Sequence, residues 1–441
     1  MERLPLPRRL LHPIGYPNVG HLPVEKQEGL RAFWLDGLFS SLADGFAVSY
    51  YALYMLSLGA SNAQIGLANS LTQIAAASMA IPGAVLAERT GRYRGLSTRT
   101  GIVMRAMWLV MIAAPWLLND AGAVWMVLVA WVLMTAAGNA GAAAWMALQA
   151  DLVPTRLRGA YLASRNVIMQ VMRLGSVPLA GLLVGWIGEP AGYQVSLGCA
   201  YAIGLISLYY YVRVPEHPHD TSEAEDRFTL LDALRAARKM PMLLRFMAST
   251  AVLQFGVMFL APFVNVYLVD EVELSVPVIG FTSTVSTLAA IVGMRLLGRY
   301  LDLRGNKWTM RFSLAMPLLP VMWLFVQNAW QAYLVSGFAA LSWTGFNLGS
   351  FNMLLMLTPN QHRPRFVALH TTTIALVSAI SPLIAGYWID AAGFEPVFIT
   401  STVVRYIGLG LFFWLVHEPQ SPPDVPSSGG VLPEGGEAEP A

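Results

Sequence analysis

Along its length the chain alternates long apolar stretches with short polar turns. A helix that crosses a bilayer needs about 20 mostly apolar residues. Twelve stretches qualify: 32–57, 62–87, 97–118, 122–150, 160–187, 192–213, 243–269, 276–297, 308–328, 331–357, 366–389 and 394–416. The pattern predicts an all-α integral membrane protein with twelve transmembrane helices. A polar segment, 214–240, separates the sixth run from the seventh. It begins as a solvated linker and ends F-T-L-L-D-A-L-R-A-A-R-K-M, where Leu230, Leu231 and Leu234 recur at helical spacing, as for a helix lying on the membrane surface. Residues 1–31 form a Pro-rich polar tail without the apolar core of a signal peptide. Residues 417–441, rich in Pro, Gly, Ser and Glu, are expected to be disordered.

The pattern occurs twice. Ala84–Arg94 reads A-V-L-A-E-R-T-G-R-Y-R, and Gly298–Lys307 reads G-R-Y-L-D-L-R-G-N-K. Glu88 and Asp302 are 214 residues apart, as are Gly91 and Gly305. Ser61 and Gly66 map onto Ser275 and Gly280 at the same offset; Pro154 and Arg158 map onto Pro359 and Arg363 at 205; Pro178 maps onto Pro382 at 204. Offsets that agree this closely predict a duplicated bundle, with six helices in 32–213 and six in 241–416.

Composition removes the soluble alternative. Of 441 residues, 12% are charged and 56% hydrophobic, with a mean hydropathy of +0.53; a soluble chain carries about a quarter charged residues. A net charge of +2 gives no nucleic-acid signature. Cys199, the single cysteine, excludes a disulfide within the chain and a cysteine metal cluster. An H-E-x-x-H motif and a G-x-x-x-x-G-K-[ST] loop are both missing, so neither an enzyme nor an ATP-driven pump is expected, and no cofactor or metal. Charge position is more informative. Twenty-four of the 28 Lys and Arg fall at the N-terminal tail, the centre and the even-to-odd turns, whereas L-G-A-S, N-D-A-G, G-E-P-A-G, D-E-V-E-L-S, Q-N-A-W and A-A-G-F hold none. Basic loops stay cytoplasmic, which places both termini there and the chain in the cytoplasmic (inner) membrane.

The repeated loop resembles the G-x-x-x-D-R-x-G-R-R/K signature between helices 2 and 3 of the major facilitator superfamily of secondary transporters. The first copy departs with Ala84 for Gly and Glu88 for Asp; the second keeps Gly298, Asp302, Gly305 and Lys307. The resemblance implies two six-helix halves that rock around a central cavity. It also implies that Glu88 engages the start of helix 11, at Arg363 to Phe366, to latch the cytoplasmic gate, while Asp302 faces the start of helix 5 near Arg158. Gly91 suits a left-handed turn, and Arg89, Arg92 and Arg94 suit both the negative end of helix 2 and an anionic leaflet. The plainer alternative is a basic turn that only sets orientation.

Charges within the spans are costly and tend to face a partner or a water-filled cavity. Asp36, Ser40 and Asp44 share one face of the first run; Asn166, Gln170 and Arg173 share one face of the fifth. Helices 1 and 5 are neighbours in the resembled fold, and the two residues lie at similar depth, so an Asp44–Arg173 pair is the candidate coupling switch. The alternative is a static ion pair. Helices 1, 4, 7 and 10 line the cavity in that family, which nominates Tyr51, Thr135, Asn139, Gln254, Trp343 and Asn347. Arg105, Arg405 and His370 are expected to pack and Arg295 to sit at the interface. Trp34, Trp116, Trp125, Trp330 and Trp388 are expected in the interfacial belts. The fourth run lacks the Arg, and the fifth the Gly-Pro pair, often found in antiporters of the family. The expected activity is alternating-access transport of a small molecule, with proton-coupled efflux preferred. Uptake or facilitated diffusion and a transport-dead sensor are the rivals. The expected partners are the substrate, protons and the bilayer, with the protein a monomer.

Overall fold

Hydrocarbon offers no partner to a backbone N–H or C=O, so an apolar chain must satisfy its backbone within helices. The computed structural model describes residues 22–154, 156–216, 230–304, 311–359 and 363–417, and no strand occurs among them. In order the elements are α1 (Val24–Ala47), a 3-10 turn (Val48–Tyr50), α2 (Tyr51–Ser57), α3 (Asn62–Thr90), α4 (Tyr93–Leu117), α5 (Asp120–Leu152), α6 (Arg158–Ile187), α7 (Ala191–Tyr211) and α8 (Leu230–Arg238). There follow α9 (Pro241–Leu260), a 3-10 turn (Ala261–Phe263), α10 (Val264–Asp270), α11 (Val276–Arg304), a 3-10 segment (Arg311–Leu318), α12 (Leu319–Leu324), α13 (Ala329–Leu357), α14 (Arg363–Ala392) and α15 (Phe394–Leu415).

Nine of the described helical stretches are long and apolar enough to cross a membrane. The other three expected spans differ in instructive ways. The first begins at Val24, earlier than its apolar run, because Gln27 donates to the Leu22 carbonyl and Gly29 leaves room for Pro215. Trp34 therefore lies well inside the helix, fully buried with Nε1 on the Ser164 hydroxyl (3.1 Å), and is not a belt residue. Trp116, Trp125, Trp330 and Trp388 are exposed. The ninth run is not a continuous α-helix: Pro317 and Pro320 interrupt it, leaving the 3-10 segment and the short α12. The tenth is a 29-residue helix, α13, whose Gln, Ser and Asn content lowers its hydropathy. The linker helix α8 packs against α14 and α9 rather than lying apart on the membrane surface.

The repeat is visible in the breaks themselves. Val48–Tyr50 and Ala261–Phe263 interrupt the first and seventh runs at equivalent positions. Two helix crossings then join the first set of helices to the second: α3 on α14, and α6 on α11. Both are tight at the side away from the basic turns. A Cβ at Gly66 would stand 2.3 Å from the Pro382 carbonyl oxygen, and one at Gly280 3.0 Å from Pro178. Tyr50 reaches this second crossing and donates to the Val177 carbonyl (2.6 Å), in space that Gly181 and Gly280 leave open. Pro178 frees the carbonyl of Leu174, four residues earlier, and Thr284 of α11 donates to it at 3.4 Å. At the first crossing, the Asp390 carboxylate accepts from the backbone N–H groups of Asn62 (3.0 Å) and Ala63 (2.9 Å), at the exposed N-terminus of α3.

Parallel α1 and α6 pack along a seam opened by Gly37 and Gly45. Two ion pairs bridge the seam, each joining residues 129 apart: Asp36–Arg165 (3.4 Å) and Asp44–Arg173 (3.3 Å). The first is sealed, with side chains 9% and 4% exposed. Its guanidinium lies over Phe33 (4.3 Å) and also donates to the Phe33 carbonyl (3.2 Å). Ser207 of α7 donates to Asp36 (2.7 Å) and accepts from Arg105 of α4 (2.9 Å). Four helices thus meet on one carboxylate. Removing one partner of a sealed pair costs about 3–5 kcal/mol, whereas a solvated pair contributes at most about 1 kcal/mol. Asp36→Ala is therefore expected to destabilise the detergent-purified protein by several kcal/mol and Asp44→Ala by under about 1 kcal/mol, as read from denaturant unfolding. Equal losses would contradict this division.

Candidate functional site: the central cavity and its two ends

A cavity of about 1240 Å³ lies beside the crossing of α6 and α11, and both helices contribute to its wall. Its α6 wall carries Asn166, Gln170 and Arg173, the face read from the sequence. Facing it are Trp343 and Thr344 of α13, and Ser283, Ser286 and Thr287 of α11. Asn265, Trp323, Arg295 and Arg405 complete the polar and aromatic wall.

The candidate switch is brought together. Arg173 Nη2 lies 3.3 Å from Asp44 Oδ2, and the side chains are 49% and 35% exposed, so water in the cavity reaches both. This differs from the sealed Asp36–Arg165 pair two turns away. The other candidates lie off the wall. Tyr51 stacks flat on Trp131, with centroids 3.6 Å apart. The Thr135 hydroxyl donates to the Trp131 carbonyl (3.0 Å), and the Asn139 amide to the Thr135 carbonyl (2.9 Å), so both bonds stay within α5. Gln254 reaches Ser378 of α14 at 3.5 Å. Asn347, one turn on from Trp343, is exposed.

At the basic end only part of the expected latch lies among the described residues. Gly91 ends α3 with φ 56° and ψ 8°, the left-handed turn expected of it. Glu88, Arg89 and Arg92 are exposed, and no described residue forms an ion pair with Glu88. Arg94 has turned inward: it pairs with Glu216 (3.6 Å) and donates to the Val214 carbonyl (2.9 Å), tying the start of α4 to the end of α7. Arg158 donates to the Ala150 carbonyl (2.9 Å). Gly305 and Lys307, and the side chains of Asp302 and Arg363, lie outside the described residues.

Three features are missing from the candidates read in the sequence. Arg165 reads there as part of a basic flank, although the signal is simple: it precedes Arg173 by the same eight residues that separate Asp36 from Asp44. Asp390 carries no sequence motif, and only the fold brings it to the N-terminus of α3. Arg405, expected to pack, does so and lines the cavity as well. Its Nε donates to the Gly256 carbonyl (3.3 Å) and its Nη1 to that of Met316 (3.2 Å). Among the described residues, no group of three His, Cys, Asp or Glu could hold a metal ion.

These geometries can be set beside known proteins. A curated relative, the multidrug resistance protein MdtG of Dickeya zeae (strain Ech586), is 28% identical over 141 residues, and the match spans only about a third of each chain (32% of this one, 34% of the relative). The nucleoside transporter NupG superposes with a TM-score of 0.66 at 15% identity, covering 89% of this chain and 100% of its own. A bacterial homolog of the human lysosomal transporter Spinster, in an inward-facing and occupied conformation, gives 0.66 at 14% identity, covering 87% of this chain and 95% of its own. At such identities the superpositions show a shared fold. The family model described as Major Facilitator Superfamily matches residues 33–267 and 246–435, and the chain belongs to that superfamily.

Proposed function

We propose that the protein exports a small molecule across the cytoplasmic membrane by alternating access, driven by protons. The observation that carries this reading is the Asp44–Arg173 pair, joined at 3.3 Å yet partly exposed, with Arg173 on the wall of a large cavity. A pair held together yet reached by water can change partners. A proton on Asp44 would release Arg173 to a ligand, and release of the ligand would return Arg173 to the carboxylate. With the basic side cytoplasmic, as the Lys and Arg distribution supports, the close contacts around Asp390, Gly66 and Gly280 would form a closed outer gate and the state described would be inward-facing. Export is favoured over uptake by the partial match to a multidrug resistance protein.

The direct test is flux in proteoliposomes with an imposed pH gradient. Wild-type protein is expected to accumulate substrate against its gradient. Asp44→Asn is expected to retain downhill exchange and lose the dependence on the pH gradient, and Arg173→Gln to lose both. If the two variants transport with unchanged pH dependence, the pair is a static brace. A protein that binds ligand and moves none is a sensor.

The two ends of the bundle should respond in opposite senses. Glu88→Gln removes the charge that would latch the basic end, so it is expected to favour the inward-open state. Asp390→Ala uncaps α3 at the outer gate, at about 0.5–2 kcal/mol for a lost cap, and should favour outward opening by up to roughly thirtyfold. Alkylation of single cysteines placed at Ser61 and at Gly159, in a Cys199→Ala background, reads both; unchanged rates in both variants would remove these residues from gating.

A further inference from the structure

The charges on the cavity wall do not balance. Three cations lie on it, Arg173, Arg295 and Arg405, and no described wall residue is acidic. Asp44 answers Arg173. No described carboxylate pairs with Arg295 or Arg405. Arg405 is 6% exposed, and neutral carbonyls take its Nε and Nη1. A guanidinium held inside a bundle by carbonyl dipoles alone keeps its full charge, and its field is weakly screened there.

The contrast with the first half sharpens the point. Arg105 also sits between packed helices and also donates to a carbonyl, that of Gly204 (2.5 Å). It then reaches the Asp36 carboxylate through Ser207. Arg405 joins the corresponding region of the second half, between α9, α15 and the Pro-broken segment, with no acid paired to it among the described residues. At 1.5 Å per residue, Arg405 is roughly 17 Å along its helix from the outer end and Arg295 roughly 29 Å along α11. One cation is therefore deep and the other stands nearer the basic end. Trp323 and Trp343 lie on the same wall.

We propose that the cavity selects amphipathic organic anions: the apolar body packs on Trp323 and Trp343, and a carboxylate, sulfonate or phosphate group pairs with Arg405 after being drawn in past Arg295. This rests on the transport reading and names its substrate class. The negative group supplies the counter-charge that the wall lacks, and the tryptophans supply the surface that excludes water from the pairing.

The test is calorimetric titration of the full chain in a non-ionic detergent with three probes sharing one ring system: naphthalene-2-sulfonate, naphthalene-2-sulfonamide and 2-naphthylmethylammonium. The sulfonate is expected to bind at least about tenfold more tightly than the uncharged sulfonamide, as one charge-assisted contact implies, and the ammonium more weakly still. Arg405→Gln should abolish the preference for the sulfonate. Because that variant could disturb packing, Arg295→Gln provides a second reading on an exposed side chain: weaker sulfonate binding with unchanged sulfonamide binding. Sulfonate binding that is absent or no tighter than that of the sulfonamide or ammonium overturns the proposal, as does a preference that survives both substitutions. Repeating the titration in nanodiscs of phosphatidylcholine with and without phosphatidylglycerol assigns the source. Competition by phosphatidylglycerol makes the occupant a lipid headgroup, and its absence a free organic anion. Sulfonate bound but never moved across a vesicle wall would leave this site standing and remove the transport reading; flux of neutral or cationic compounds without sulfonate binding would do the reverse.

Discussion

Guanidinium and carboxylate groups lie well inside this bundle, where hydrocarbon cannot solvate them, so each must be answered by a charge, a dipole or water. The sealed pair of Asp36 and Arg165 is where that demand organises the structure most completely. It joins α1 to α6, draws in Ser207 of α7, and through Ser207 reaches Arg105 of α4. Gly37 makes the approach possible, because a Cβ there would meet the Arg165 guanidinium at 2.7 Å. With this junction rigid, the second pair, eight residues further along both helices, is presented to the cavity at a defined depth. What separates the two pairs is exposure: the first is sealed and the second is partly exposed.

Proline places a polar contact at one of the crossings. Pro178 leaves the Leu174 carbonyl without its helical donor, and a hydroxyl from the facing helix α11 answers it. A residue that interrupts a helix thus supplies an acceptor that another helix uses. The cost of an interrupted backbone ladder is offset by a tertiary contact with a fixed geometry.

The two ends of the molecule are asymmetric. Around Gly66, Gly280, Pro178 and Pro382 the backbones are close enough that no side chain would fit between them. At the basic end the acid of the first copy of the loop, Glu88, stands exposed. At the other end the Asp390 carboxylate is held on the N-terminus of α3.

Much of this was legible in the chain. Spacing of apolar runs gave the helices, because burying backbone polar groups in lipid leaves no other structure. The 214- and 204-residue offsets marked Gly66 and Gly280, and Pro178 and Pro382, as equivalent positions of a duplicated bundle; that each glycine meets the proline of the other half is seen only in the structure. Helical periodicity put Asn166, Gln170 and Arg173 on one face. What the chain could not state was which polar residues would find one another. Tyr51, Asn139 and Gln254 read as cavity residues and instead stack or bond away from it; Arg165 read as a flank and is buried; Arg405 read as packing and also lines the cavity. Periodicity reports which residues share a face of one helix. The neighbour that face meets, and how much water lies between them, depends on how all the helices pack, and that is decided only by the tertiary structure.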